Sequence, residues 1–416
     1  MRRGAAGRPE GELPGPGVSA IVIMGFAEAL AAPEALWSLV DGGIRVKAFA
    51  RRGKPSSLRH SRHVSVIDIT PPEEDAAASV REIEGLARSS AADGSEVVLF
   101  PLDDSAVWLC DRAASSAKAL AGPSGDQLRL ALDKRVQIQA AAAAGFNILP
   151  TKVVESCDDA LATRDFPVVL KPAEAVVAGE NTLRKGRSWT CGDRGELESA
   201  VKSWNGSMPL LVQPFVPGVG EGVFGFATDD GIVAWSAHRR VRMMNPHGSG
   251  SSACASQLVP KDVSAAAEKF VRQTGWRGLF MIELLRDIGG KAWFMEFNGR
   301  PWGSIALARR QGFEYPAWNI RMALDPSWRP REQPGIKPDI VCRNAGRELM
   351  YPLFVLKGPK SKALKQWPNL WRAMLDIARV GRRDRFYNWR RDDMSVFFSD
   401  AYYTLRGNIL KPRRRR

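Results

Sequence analysis

Three polar side chains alternate with apolar ones in the segment from Trp293 to Pro301. Side chains two residues apart share one face of a β-strand, so Glu296, Asn298 and Arg300 would form a row. Carboxylate and carboxamide oxygens suit Mg²⁺, and a guanidinium offers a rigid fork to a phosphate or a carboxylate. The row predicts a strand that binds a multiply charged ligand. The alternative is an amphipathic edge strand whose polar face is solvated.

A second carboxylate, Glu283, interrupts the apolar run Leu279–Leu285. A turn at Gly289 and Gly290 would join this run to the segment 291–298 as a hairpin. Glu283 and Glu296 then face each other across two strands, which is unfavourable unless a cation lies between them. The pair therefore predicts a metal ion.

Lys171 ends the apolar strand predicted over 166–172. A loop over 173–186 follows it, with glycines at 179 and 186, and Trp189 begins the return strand. A lysine beside such a loop can fold over a polyphosphate. The alternative is a solvated lysine at a sheet edge. We interpret a second polar loop, 248–252, as a lid or anion-binding nest, with a simple linker as its alternative.

The first part of the chain alternates strands with helices. Strands are predicted over 18–24, 44–50, 63–69 and 96–101, and helices over 28–40 and 73–90. This alternation indicates a parallel α/β sheet with ligands at the carboxyl ends of its strands. Asp103 and Asp104 follow the fourth strand. They are interpreted as ligand-binding residues, and the alternative for either is a loop start or the N-cap of a helix. A further helix is predicted within 122–144, running through Asp133 and Lys134 and capped by Gly145.

Composition narrows the class of protein. A chain of 416 residues, 44% hydrophobic and 25% charged, fits two or three globular domains. Five dispersed cysteines and four histidines argue for a reducing compartment and against zinc. No apolar run reaches the roughly 20 residues that span a bilayer. Segment 1–17 is interpreted as a disordered leader rather than a signal peptide.

Taken in order from Lys134 to Ser304, these motifs resemble the ATP-grasp superfamily, closest to its carboxylate–amine ligase and carboligase-like members. The resemblance implies a mixed α/β and α+β fold. Its parts are an N-terminal Rossmann-like pre-ATP-grasp domain (18–122), a two-lobed ATP-grasp module (123–326) and a basic helical C-terminal tail (327–416). The small lobe of the module is expected over about 150–215 and the large lobe over about 216–326.

The resemblance also implies ligands and residue roles. The ligands are ATP and Mg²⁺, with Mn²⁺ as an alternative. The implied roles are phosphate contacts from Lys134 and Lys171, an adenine-binding hinge at Gln213, Phe215 and Val216, ribose binding by Glu221, metal ligation by Glu283, Glu296 and Asn298, and binding of the transferred phosphate or acyl phosphate by Arg300 and Arg240. Two features depart from the family pattern: loop 173–186 has only two glycines, and Gln213 stands where many members have an acidic residue.

The activity implied is activation of a small carboxylate as an acyl phosphate, followed by attack of an amine or a similar nucleophile, in the cytoplasm. Two alternatives are a small-molecule kinase of the same fold and a non-catalytic adaptor for membranes or nucleic acid. The adaptor interpretation depends on the tail. Residues 331–416 contain 21 Lys and Arg against 8 Asp and Glu, and they therefore carry most of the net charge of +15. No recognised DNA- or RNA-binding motif occurs.

The tail contains one predicted amphipathic helix over 367–383. Leu370, Trp371, Met374 and Ile377 fall on one helical face together with Ala378. We expect this face to pack on the body of the protein, with the flanking charges in solvent. The alternative is contact with an anionic membrane surface at the periphery or with an anionic carrier substrate.

Overall fold

The structure is a computed structural model, and it describes residues 20–409. The predicted leader over 1–17 lies outside the described residues. The strands are β1 Ala20–Gly25, β2 Arg45–Arg51, β3 Ser65–Ile69, β4 Glu96–Pro101, β5 Ala119–Leu120, β6 Asn147–Ile148, β7 Lys152–Val154, β8 Val168–Pro172, β9 Val177–Ala178, β10 Leu183–Arg184, β11 Trp189–Cys191, β12 Leu210–Pro214, β13 Gly218–Thr228, β14 Gly231–Asn245, β15 Ser249–Gln257, β16 Gly278–Asp287, β17 Ala292–Asn298, β18 Val341–Arg343 and β19 Asp384–Phe386.

The helices are α1 Ala32–Asp41, α2 Ala76–Ala91, α3 Asp104–Ala113, α4 Gly125–Leu132, α5 Lys134–Ala144, α6 Cys157–Leu161, α7 Arg194–Trp204, α8 Lys261–Thr274, α9 Ile305–Arg309, α10 Tyr315–Leu324, α11 Ala345–Leu356, α12 Leu370–Ala378 and α13 Met394–Ile409.

The N-terminal part is a five-stranded parallel sheet in the order β3-β2-β1-β4-β5. Its central strand is almost entirely buried, as its unbroken apolar run predicts. The Rossmann-like expectation is therefore confirmed. The first helix starts at Ala32 rather than at residue 28, because Pro33 suits the first turn of a helix and not its interior.

Two mixed or antiparallel sheets follow. A four-stranded antiparallel sheet has the order β11-β8-β12-β7, and α7 packs on it through Leu197 and Trp204. An eight-stranded sheet has the order β19-β18-β15-β14-β13-β16-β17-β6. Helices α5 and α8 cover the central part of this larger sheet, where Phe270 meets Phe294 and Phe297.

The helix predicted within 122–144 is two helices. Asp133 adopts an extended conformation between α4 and α5, and its carboxylate accepts a hydrogen bond from the backbone N–H of Arg135. Asp133 thus ends one helix and caps the next. The predicted cap at Gly145 is confirmed, with φ of 100° in the left-handed region.

The loop predicted over 248–252 is wrong. Ser249 begins β15, which pairs antiparallel with β14 through Ser251 and Met243. Ser252 is fully buried, and the backbone N–H of Asn344 donates to its carbonyl. Small hydroxyl residues favour loops by composition, but here the segment continues from the turn after β14 into a paired strand. The segment is therefore the end of a β-hairpin rather than a flexible loop, and its role as a lid stays a prediction.

The C-terminal region contains the expected helices, but it is also part of the sheet. β18 and β19 extend the eight-stranded sheet beyond β15. The indole N–H of Trp37 in α1 donates to Asp393 over 3.0 Å, and the backbone N–H of Asn388 donates to Glu34. Residues 327–409 are therefore packed into the rest of the protein rather than appended to it.

Candidate functional site

A cavity of about 150 Å³ lies where the N-terminal sheet meets the two other sheets. It is bounded by the starts of α3 and α5, the end of β17 and the loop after β8. Its polar and charged lining residues are Asp104, Lys134, Gln137, Glu174, Lys185, Ser188, Glu296, Asn298 and Arg300. Four predicted site residues, Lys134, Glu296, Asn298 and Arg300, therefore share one cavity. The other predicted site residues do not line it.

The row on β17 is held by a buried glutamine that the sequence did not single out. The side chain of Gln137 accepts a hydrogen bond from the backbone N–H of Phe297 and donates one to its carbonyl, each over 3.0 Å. The same amide group donates to the carbonyl of Leu130 at the end of α4. β6 pairs with β17 only at Trp293 and Phe294, so Gln137 continues this edge in place of a strand. It fixes the backbone between Glu296 and Asn298.

The two glutamates face each other, as the hairpin predicts. Glu283 and Glu296 are direct partners in the β16–β17 register. Protein cations already balance them: Arg240 donates to Glu283 over 2.5 Å, and Lys134 Nζ lies 4.0 Å from Glu296. Repulsion between Glu283 and Glu296 therefore does not by itself require a metal ion. The argument for magnesium depends instead on the oxygen atoms that the site offers as ligands. Two carboxylates and the amide of Asn298, which donates to Glu296, supply oxygen ligands that fit Mg²⁺. No group of three or more His, Cys, Asp or Glu side chains able to hold a metal ion occurs within residues 20–409.

Lys171 lies beneath the same row. Its Nζ is 3.4 Å from the carbonyl of Met295, and most of the side chain is buried. Burial lowers the pKa of Lys171 to about 8, with Glu296 opposing the shift and Lys134 adding to it. The two lysines thus share Glu296 as a counter-ion, in a position where phosphate oxygens could replace it.

Arg300 is held by the N-terminal domain. Its Nε donates to Asp104 over 2.5 Å, and Lys185 Nζ lies 3.6 Å from the same carboxylate. Burial opposes ionisation of both partners, but the charge of Arg300 lowers the pKa of Asp104 and that of Asp104 raises the pKa of Arg300. Asp103 is the N-cap of α3, with its side chain accepting from the N–H of Ala106. The N-cap alternative therefore holds for Asp103, while Asp104 lines the cavity and its role in ligand binding stays a prediction.

The loop predicted to fold over phosphate contains a short hairpin, β9–β10, that docks on the N-terminal domain. The N–H of Leu183 donates to the carbonyl of Pro72 over 2.7 Å, and the N–H of Ala76 donates to that of Asn181 over 2.8 Å. Leu183 is buried against Ala76 and Val176. This docking brings Lys185 to the cavity.

The predicted adenine hinge lies at the end of β12. Gln213 is buried, and its amide donates to the hydroxyl of Thr151 over 2.7 Å. The backbone N–H of Phe215 donates to the carbonyl of Pro167, so it is not available to a base. Pro214 has no N–H. Among residues 214–216, only the N–H of Val216 has no hydrogen bond to a described part of the chain.

Glu221 and Arg240 lie on neighbouring strands. The carboxylate of Glu221 accepts two hydrogen bonds of 3.0 Å from Nε of Arg286, whose pKa these bonds raise. Its remaining lone pairs can still accept from a hydroxyl group. A Cβ on Gly220 would lie 2.5 Å from Cδ of Arg240, so an alanine here would require the Arg240 side chain to shift. Burial lowers the pKa of His238 to about 3, and this histidine is neutral beside Arg240.

Sequence reasoning missed Gln137, Lys185 and Arg286. Gln137 gives no signal, because a glutamine on a helix is usually solvated. Lys185 lies in a loop that the sequence did connect with phosphate, and Arg286 ends the strand that carries Glu283. Lys185 and Arg286 could therefore have been found from their place in the chain, and Gln137 could not.

Comparisons with known proteins give matches at the level of structure. No family model matches the chain, and no curated protein matches its sequence. An N5-carboxyaminoimidazole ribonucleotide synthetase in its ADP complex superposes with a TM-score of 0.60 at 15% identity, over 86% of this chain and 95% of that one. The N5-carboxyaminoimidazole synthetase of Staphylococcus aureus gives 0.58 at 14%, over 80% and 83%. An L-amino acid ligase from Bacillus licheniformis gives 0.56 at 16%, over 74% of each chain.

These similarities extend over most of the chain and of the matched proteins, at identities that carry the fold alone. The chain has the ATP-grasp fold, and the fold class predicted from its motifs is confirmed.

Proposed function

We propose that this protein is a Mg²⁺-ATP-dependent ligase that activates a small carboxylate as an acyl phosphate and joins it to an amine or a similar nucleophile. The observation that carries the proposal is the convergence of Lys134, Glu296, Asn298 and Arg300 on one cavity in an ATP-grasp fold, with Lys171 hydrogen-bonded to the carbonyl of Met295 beside it. Solved proteins of this fold include an L-amino acid ligase, and one is a carboxylase domain crystallised with MgADP and bicarbonate.

The nucleotide would bind from the end of β12 to the cavity. The N–H of Val216 is the free backbone donor for adenine, and Glu221 would accept from the ribose hydroxyls. Lys134 and Lys171 would leave Glu296 to contact phosphate oxygens, which they can do because a phosphate offers them more charge than one shared carboxylate. Glu283, Glu296 and Asn298 would hold magnesium, with Mn²⁺ as an alternative, and the bound ion would offset phosphate charge during transfer.

The first step would be attack of a carboxylate oxygen on the γ-phosphorus, with the bond to the ADP oxygen breaking. Arg300 would hold the transferred group, since its guanidinium is already oriented by Asp104. In the second step the amine nitrogen would attack the acyl carbon, and the bond from that carbon to the bridging phosphate oxygen would break. Phosphate would leave with the electrons of that bond, and the proton lost by the amine would pass to the departing phosphate. Arg240, which Glu283 orients, would stabilise the oxyanion between the two. The hairpin β9–β10 would keep water from the acyl phosphate.

The three parts of the chain would divide this work. Residues 18–122 would supply Asp104 to orient Arg300, residues 123–326 would bind the nucleotide and magnesium, and residues 327–416 would complete the large sheet. We propose the cytoplasm as the compartment, because all five cysteines are free thiols.

The first test is calorimetric titration with a non-hydrolysable ATP analogue, with and without Mg²⁺. Wild type should bind in a magnesium-dependent way, and Lys171→Ala should bind at least tenfold more weakly. Lys202→Ala, an exposed lysine on α7, is the matched control and should bind as wild type does. Absence of binding in wild type would refute the proposal.

Turnover is then measured as ADP release across pairs of carboxylates and amines. Glu296→Gln should abolish ADP release while leaving the urea midpoint unchanged, and an active variant would refute the magnesium assignment. A stable phosphorylated product formed without an amine would identify a kinase instead. Binding without turnover on any pair would favour the non-catalytic adaptor.

A further inference from the structure

The helix α12 exposes more apolar surface than its packing uses. Its inner side is formed by Ala373, which is buried, with Leu370 and Ile377 half-buried. Trp371 is 73% exposed and Leu375 is 57% exposed on the outer side. The expectation that this helix face packs on the body is therefore wrong for Trp371, Met374 and Ala378, which are exposed. Ala373 is the buried residue of α12, and most of the Trp371 side chain is left in solvent.

The neighbouring helix adds to this surface. α11 packs against α12, and the indole N–H of Trp367 donates to the carbonyl of Val355 over 2.8 Å. The last turns of α11 expose Leu353 and Leu356. Large exposed apolar side chains on two adjacent helices indicate an interaction surface rather than scattered single residues.

Positive charge surrounds the apolar side chains. Segment 357–385 contains nine Lys and Arg, all exposed, against two acidic residues. Asp384 is paired with Arg343, and among the nine basic residues only Lys362 forms an ion pair with a described residue, Asp193. The remaining eight are Lys357, Lys360, Lys365, Arg372, Arg379, Arg382, Arg383 and Arg385. These eight basic residues, together with the exposed Leu353, Leu356, Trp371 and Leu375, are hereafter the basic apolar face.

We propose that the basic apolar face docks on the surface of an anionic lipid bilayer. An exposed tryptophan beside aliphatic residues suits the boundary between headgroups and acyl chains, and unpaired Lys and Arg are attracted to acidic headgroups. No helix within residues 20–409 is long and apolar enough to cross a membrane, so the contact would be peripheral.

Charge and side-chain type separate this occupant from two others. In a symmetric pair of identical chains the same surface meets itself, so the unpaired cations of one copy would face those of the other. A single-stranded nucleic acid would use aromatic side chains for stacking, whereas of Leu353, Leu356, Trp371 and Leu375 one is aromatic and three are aliphatic. A lipid surface uses both the charge and the aliphatic groups.

The test is co-sedimentation of the full chain with vesicles of phosphatidylcholine alone and of phosphatidylcholine with 30% phosphatidylglycerol. The protein should bind the anionic vesicles, bind the neutral ones at least tenfold more weakly, and be released as NaCl is raised from 50 to 500 mM. Leu375→Ser should weaken binding severalfold. Leu258→Ser is the matched control, because Leu258 is 63% exposed after β15 and should leave binding unchanged.

Charge is tested separately. Arg382→Glu with Arg383→Glu should reduce vesicle binding at least tenfold, whereas Lys202→Glu with Lys269→Glu, which changes net charge equally on exposed sites elsewhere, should have little effect. Equal binding to neutral vesicles, or equal loss in both charge pairs, would overturn the proposal. Failure to bind vesicles would also overturn the proposal. If the protein then binds a single-stranded oligonucleotide, the face is a nucleic-acid site, and if it self-associates in a way that Trp371→Ala abolishes, the face is an interface between copies. ADP release is measured in parallel and should not change.

Discussion

Replacing Gln137 by leucine tests how the row on β17 is positioned. The substitution makes the side chain apolar at a similar volume, and it leaves the buried N–H and carbonyl of Phe297 without partners. An unsatisfied buried polar group costs about 1–3 kcal/mol, so two cost about 2–6 kcal/mol of unfolding free energy. Glu296 and Asn298 flank Phe297, so activity should fall as well.

The measurement is urea unfolding followed by circular dichroism, together with magnesium-dependent binding of the ATP analogue at temperatures where both proteins are folded. Gln139→Leu is the control: it lies on the same helix but is exposed, and it should change stability by less than about 0.5 kcal/mol. If Gln137→Leu is as stable as Gln139→Leu, this glutamine does not hold the strand. If stability falls but nucleotide binding does not, its role is structural and does not extend to the site.

Three further predictions concern the charged residues of the site. Arg300→Lys should lower kcat about 100-fold, because lysine cannot reproduce the fork held by Asp104, and a fall below fivefold would contradict the role of Arg300. Binding of the ATP analogue should weaken about tenfold from pH 7 to pH 9, because Lys171, with its pKa lowered to about 8, is charged below pH 8 and loses its proton above it. Lys171→Arg should bind with the same affinity at both pH values. If the variant keeps the pH dependence of wild type, another group is responsible. Gly220→Ala should destabilise the protein by about 1–3 kcal/mol and impair turnover, because the new Cβ would displace Arg240. A variant as stable as wild type would show that the Arg240 side chain can move without cost.

The strand pattern of the sequence predicted most of the site's scaffold. The alternation around Glu296 placed it on a strand, and the turn at Gly289 and Gly290 brought Glu283 opposite, which the register confirms. These inferences succeeded because period and turn chemistry are local. The segment 248–252 misled because hydroxyl-rich composition favours loops, whereas the backbone pairing of β15 with β14 is not encoded in side-chain composition.

The sequence by itself determined which groups could bind a nucleotide and a metal, because side-chain type and strand period are properties of the chain. The tertiary structure decided how those groups are paired: Arg300 with Asp104 from another sheet, Arg240 with Glu283, and Gln137 with the backbone of Phe297. It also decided that α12 packs on its small residues and exposes Trp371. Helical periodicity defines an apolar face, but which part of that face meets the body depends on the surfaces that α11 and the large sheet present to it.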